Sequence, residues 1–341
     1  MTCFNIAGCA TPFTFRATTE EYKILSKKES LNELLSREET SDILRHKFEL
    51  VLQARKFALN NGLKPEGSFT EYADIQREVL VWVLSAAPKT SLRPYTWWYP
   101  IVGSVPYKGS FDSDLAKKRA LELKSEDYDV FLRPSPAFST LGWFKDPLLS
   151  TYIEFDDVDL VTTVFHEIFH NTVWIPGDAF FNESAANVVG YLFSIAFFNE
   201  INSPKLAQHA QDALHDELIF ADFLEELNQK LEVIYKNDNL ADAEKITARE
   251  VVFSNAIQDW TTNNKNLKTE NYKKVVQNLN NAVIIAFRIY LSKPTLFVKL
   301  FDSSKGLEDL IRNFGEIKQS ANKSGESPYS ILEEMLDERQ Q

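Results

Sequence analysis

From Glu20 to Asn60 the apolar residues Ile24, Leu25, Leu31, Leu34, Leu35, Ile43, Leu44, Phe48, Val51 and Leu52 recur at intervals of three and four. That is the spacing of one helical face, and it predicts a helical lead-in. Apolar residues continue from Tyr72 through Leu84 to Pro88, after which Leu92 to Pro100 mixes aromatics with proline and is followed by Gly103, Pro106 and Gly109. Such a texture predicts short strands and turns. Asp112 to Ser125 reads as an amphipathic helix and Tyr128 to Leu132 as a strand stopped at Arg133-Pro134. Ala137 to Phe144 and Ser150 to Phe155 read as further extended segments around the turn material Lys145-Asp146-Pro147.

Beyond Leu160 the pattern is almost entirely helical. It runs through 161–199, Leu206 to Tyr235, Ala241 to Trp260 and Tyr272 to Leu291, with polar breaks at Lys236-Asn237-Asp238-Asn239 and Asn263-Asn264-Lys265-Asn266. The expected fold class is therefore α+β and mainly helical, with a small sheet over about 90–160, two helices over 161–199 and a helical bundle over 203–318. Residues 1–19 form an N-terminal segment, 20–318 one domain, and 319–341, rich in Ser, Lys, Glu and Gln, a weakly held tail.

Composition narrows the function. The 341 residues are 44% hydrophobic, enough apolar mass for one large core or two intimately packed ones. A net charge of −12 argues against nucleic acid, whose binding rests on clustered Lys and Arg. Cys3 and Cys9 are the two cysteines, so the body of the chain has no disulfide framework and no thiolate cluster, and a metal there must be held by His and carboxylate. No run reaches the ~18 apolar residues of a membrane helix. The segment Ile6-Ala7-Gly8-Cys9 has the small-residue pattern read in bacterial lipoprotein processing, which would make Cys9 a lipid anchor on a cell-envelope protein facing the periplasm. The eight residues before Cys9 lack a basic start and an apolar region of ~7–15 residues, so an accidental match, with a cytoplasmic protein, stands beside that reading.

The segment Val161-Thr162-Thr163-Val164-Phe165-His166-Glu167-Ile168-Phe169-His170 carries the chemistry. On a helix His166 and His170 lie one turn apart and both imidazoles point at one spot, while Glu167 is placed to reach a water on a shared metal. With 5 His and 49 acidic residues in the chain, chance produces such a motif about once in a hundred chains of this composition. A third ligand is still needed. Pro176-Gly177 turns the chain and a second helix can begin near Phe181, which puts Glu183 in its first turns, aimed at the metal, with Asp178 as competitor. Asn187, one turn after Glu183, is placed to take a hydrogen bond from a ligand imidazole. His46, His209 and His215 fall on exposed or mixed helix faces and read as structural. Two imidazoles and one carboxylate suit a single zinc ion, with Glu167 as general base.

Phe138-Ser139-Thr140-Leu141-Gly142-Trp143-Phe144, His166-Glu167-Ile168-Phe169-His170 and Phe181-Asn182-Glu183-Ser184 appear in one order, along with Tyr99-Pro100-Ile101-Val102-Gly103 and Asn280-Asn281-Ala282 before Tyr290. On these motifs the chain resembles the bacterial predicted-aminopeptidase family over roughly residues 30–315. The resemblance implies a zincin-like metallopeptidase whose third ligand is Glu183, often made as a lipoprotein. By analogy with peptidases that pair substrate to an edge strand before the metal helix, Ser139, Thr140, Leu141 and Gly142 are expected to hold the peptide backbone. In the wider group an Asp often stands where Asn187 stands here, and a neutral Asn raises imidazole basicity less. The Gly-x-Met-Glu-Asn segment that grips a free amine in well-known zinc aminopeptidases is absent, since the methionines are Met1 and Met335. Tyr290 and Tyr107 are candidates for the donor that stabilises the oxyanion. The expectation is a zinc-dependent peptidase; the alternative is a zinc-holding, membrane-anchored binding or sensor protein without turnover, which would have no use for Glu167.

Overall fold

The computed structural model describes residues 28–99, 103–135 and 146–340. The helical lead-in forms β1 (Glu29–Ser30), α1 (Leu31–Leu35) and α2 (Asp42–Asn60). Short strands and one helix follow: β2 (Glu71–Ala73), β3 (Val81–Pro88), β4 (Trp97–Tyr99), β5 (Gly103–Val105), β6 (Lys108–Ser110), α3 (Ser113–Ser125), β7 (Tyr128–Ser135) and β8 (Leu148–Leu149). The rest is helical: α4 (Ser150–Ile153), α5 (Asp157–Thr172), α6 (Ala179–Glu200), α7 (Pro204–Tyr235), α8 (Asp242–Asn263), α9 (Asn281–Tyr290), α10 (Pro294–Asp302), α11 (Leu307–Ser324) and α12 (Pro328–Gln340). The protein is thus mainly helical α+β with small sheets, in the orders β1-β2-β8, β6-β3-β7 and β4-β5.

In the central antiparallel sheet, alternation divides β7 between two neighbours. Val130 and Leu132, paired with Ala86 and Leu84, pack with Ala120 and Leu123 of α3. On the other face Phe131 meets Phe287 of α9 at a centroid distance of 6.2 Å. Below them Asp129 is buried and takes both guanidinium branches of Arg249 from α8, at 2.7 and 3.2 Å, and the backbone N–H of Asn281 at 3.0 Å. Asn281 in turn donates to the carbonyls of Pro88 and Ser91 and accepts from the Tyr235 hydroxyl. This hub pins β3, β7, α7, α8 and the start of α9 together. Arg249→Ala should lower the unfolding free energy by about 3 kcal/mol, the low end for breaking a buried pair because Asn281 still satisfies one Asp129 oxygen. Urea denaturation would show it, and a shift below about 1 kcal/mol would mean that the pair carries little.

The helix pair α5 and α6 approaches closely for a local reason. A Cβ on Gly190 would lie 2.8 Å from the carbonyl of Thr162 and 3.6 Å from the Cβ of His166, so only glycine lets α6 sit against α5 at that level. One turn along, the Thr162 and Ser194 hydroxyls are hydrogen-bonded at 2.9 Å.

Three expectations are corrected. Ser150 to Phe155, read as extended, contains the helical turn α4. The helix expected over Tyr272 to Leu291 begins only at Asn281: a 3₁₀ turn covers Val275–Asn278, Leu279 is extended, and Asn280 caps α9 by accepting from Val283 N. The tail expected from 319 onward is ordered helix up to residue 340, because Gly325 stops α11 in the left-handed region and Pro328 opens α12, which buries Leu332.

Candidate metal centre

Asp156 caps α5 by accepting from Asp159 N, and Asp157 and Asp159 place negative charge in its first turn. The helix ends at Thr172, four residues before Pro176. In the connection to α6, Asn182 accepts from Ile175 N at 2.9 Å and donates to Ile175 O at 2.7 Å, which fastens the loop to the helix. Asp178 is the cap of α6, accepting from Phe181 N at 2.9 Å, so its carboxylate is committed to the helix end and does not compete for the metal position.

Glu183 then faces the two histidines. His166 Nε2 and His170 Nε2 are 3.1 Å apart, and Glu183 Oε2 lies 3.3 and 3.6 Å from them. These are close to the ~3.3 Å edges of a tetrahedron spanned by bonds of ~2.0–2.1 Å to a central ion, so the three donors fit a zinc-sized cation. His166, His170 and Glu183 are the group among the described residues that could hold a metal ion. Burial alone would raise the Glu183 carboxyl, but His170 and His166 outweigh it and hold it well below the ordinary carboxylate range. Burial likewise pushes the His170 imidazole down, and the carboxylates of Glu183, Glu167 and Asp146 outweigh it and leave it raised. Glu167 Oε2 and His170 Nδ1 are both buried without a hydrogen-bond partner, the kind of group a folded protein leaves only for a reason.

Both tyrosines picked from the sequence are at this site. The Tyr290 ring lies 6.3 Å from that of His166, and its hydroxyl, raised well above the ordinary phenol range by burial and by Glu183, is hydrogen-bonded with Arg133. Tyr107 is raised by burial and then by the same Glu183, Tyr290 and Glu167, with Arg133 opposing. Both tyrosines are half-buried.

Asn187 does something other than expected. Its amide N–H donates to Glu217 Oε1 of α7 at 2.5 Å, and His170 Nδ1 has no hydrogen-bond partner among the described residues. Glu217 is buried, receives the Tyr272 hydroxyl at 3.3 Å and a hydrogen bond from Tyr191, and is pushed by burial up to about 8 against those two hydrogen bonds. Ser139, Thr140, Leu141, Gly142 and Cys9 lie outside the described residues.

Four residues at the site had no signal at motif level. Arg133 stands on the face of β7 that meets α9; its one trace in the sequence is a cation inside an apolar strand pattern. Trp174 packs edge-on against His170 at 5.5 Å. Asp146, buried, acts electrostatically on His170 and on Tyr152. Ser184 donates to Ile289 O at 3.1 Å and accepts from Ser292 N at 2.8 Å, straddling Tyr290.

Fold and site together define a mainly helical α+β protein with a candidate His-His-Glu metal centre. The chain belongs to the family described as "Putative aminopeptidase", whose model matches residues 12–328. That membership supports a peptidase, hence an enzyme. Comparison with curated proteins and with solved structures gives no match.

Proposed function

We propose that the protein is a zinc-dependent peptidase, with His166, His170 and Glu183 holding one zinc ion. The observation that carries this reading is Glu167 Oε2, buried and unpartnered beside three converging donor atoms; a centre that only stores or senses metal has no need of it. When bound, zinc supplies Lewis acidity toward the scissile carbonyl and makes a water acidic enough to lose a proton near neutrality. Glu167 Oε2 is then the base that accepts the water's proton and afterwards delivers it to the leaving amine. Tyr107 and Tyr290 keep their hydroxyl protons at neutral pH, because burial and the nearby carboxylates disfavour the phenolate. They and the Arg133 guanidinium are fixed donors for the negative charge that develops on the carbonyl oxygen. Trp174, edge-on to the His170 ring, flanks the centre on that side.

The exopeptidase preference that the family's description carries would need a carboxylate to receive a free amine. Asp146, buried and acting on His170 after Glu183 and Glu167, is a further acid near the centre, and no residue is assigned that role in this reading. Attachment of the protein to a membrane through a lipid on Cys9 belongs to the same proposal, as does its location in the cell envelope. The test is metal content by mass spectrometry with cleavage of a mixed peptide library. One zinc per chain, with cleavage lost on chelation and restored by zinc, is expected. Cleavage that survives complete removal of metal would overturn the reading.

A further inference from the structure

Beside the metal centre lies a groove of about 870 Å³, walled by α3, β7, residues 275–280 and α9. Among the described residues β7 is an edge strand, paired with β3 on one side. Its Val130 carbonyl turns away from β3, toward the Asn280 amide at 3.3 Å, and strand alternation turns the N–H and C=O of Leu132 the same way. Backbone groups presented along an edge in this manner suit an extended peptide. The floor is apolar, formed by Phe131 on Phe287.

Both walls lead to the metal centre. Phe131 precedes Arg133 by two positions on one face of β7, and Phe287 precedes Tyr290 by three on one face of α9. Since Arg133 and Tyr290 are hydrogen-bonded, the groove starts ~7 Å from the proposed oxyanion donors, the span of about two residues of extended chain.

Charge marks the ligand. The chain carries −12 overall, yet the groove is lined by Lys117 and Lys124 and, among the described residues, by no carboxylate. Seven positions apart on α3, they stand ~10 Å from each other on one helix face, with Leu121, 66% exposed, between them. Arg119 on the same helix is neutralised by Glu122 and Glu126. Neither lysine has an ion pair among the described residues, and Lys117 rests over the Trp82 ring at 5.7 Å.

We propose that this groove is a substrate subsite selecting peptides with an acidic side chain roughly two to five residues from the cleaved bond. The selectivity rests on the peptidase reading of the neighbouring centre, but binding does not require turnover. The experiment uses two fluorescein-labelled peptides, identical except that one carries Glu and the other Gln at those positions. Their affinities for the zinc-loaded Glu167→Gln protein are measured by anisotropy, and their cleavage by the wild type is followed in parallel. The Glu peptide should bind about five-fold more tightly, as expected for one or two exposed charge pairs. The preference should shrink with added salt and fall to about one in Lys117→Gln/Lys124→Gln. Equal binding of both peptides, with both cleaved, would overturn the subsite and leave the peptidase intact. A preference that depends on the two lysines without cleavage of either peptide would establish the subsite and remove the peptidase reading. A preference unchanged in the double variant would place acidic recognition elsewhere and refute the proposal.

Discussion

Glu167→Gln should retain one zinc per chain and lose peptide cleavage by about 10²- to 10⁴-fold, the range expected on removing a general base. The three donor atoms placed to hold an ion come from His166, His170 and Glu183, so an amide at position 167 leaves that set intact. Glutamine has nearly the volume of glutamate, and the side chain it replaces makes no hydrogen bond through Oε2, so the fold has little to lose. What disappears is the ability to accept a proton and hand it on. The measurement is zinc stoichiometry and single-turnover cleavage, side by side with the wild type. A variant that holds zinc and still cleaves within about three-fold of wild type would remove Glu167 from the mechanism and require another base.

The second large effect concerns stability and pH. The Glu217 carboxyl is pushed up to about 8 by burial between α6, α7 and Tyr272. A carboxyl held at that value keeps its proton in the fold through a range where the unfolded chain, with an ordinary value of 4.5, has already released it. Between those two pH values the native state binds more protons than the unfolded state, so unfolding free energy falls as pH rises. The contribution is fully present below pH 4.5 and gone above about pH 8, a loss on the order of 5 kcal/mol. Glu217→Gln mimics the neutral form and cannot titrate. Near pH 4.5 the variant and wild type should be close in stability, and by pH 9 the variant should be the more stable by that amount. Urea midpoints of the two proteins across pH 4.5–9 test this, because every other titrating group cancels in the difference. A difference independent of pH would mean that Asn187, Tyr191 and Tyr272 hold Glu217 as an ion throughout.

The parts of this protein that were legible in sequence are those set by local periodicity. His166 and His170 one turn apart, and Glu183 soon after Pro176-Gly177, follow from helix geometry and a turn, and the structure brings their donor atoms together. Tyr107 and Tyr290 were reachable as donor types, but nothing local could set their distance from the centre, since it depends on how β6 and α9 pack. Asn187 shows the same limit from the other side. Its helical face was readable and its partner was not, because Glu217 is 30 positions away on α7. Arg133 escaped notice because its meaning comes from the pairing of β7 with α9, fixed by Asp129, Arg249 and Asn281 over separations no window covers. The C-terminal helix was missed for a compositional reason: α12 has a polar surface and packs through few apolar residues, among them Ile331, Leu332 and Leu336.

Ser184 follows the candidate ligand Glu183 directly in sequence, and its hydroxyl grips the backbone on both sides of Tyr290. A candidate metal ligand and a proposed charge-stabilising donor are thereby joined through one side chain, while the hub at Asp129 joins the strand bearing Arg133 to the helix bearing Tyr290. Among the described residues, the candidate centre and its neighbouring donors are thus tied to one another by backbone and buried-side-chain bonds, so the orientation of these groups is set by the same contacts that hold the helices and the sheet together.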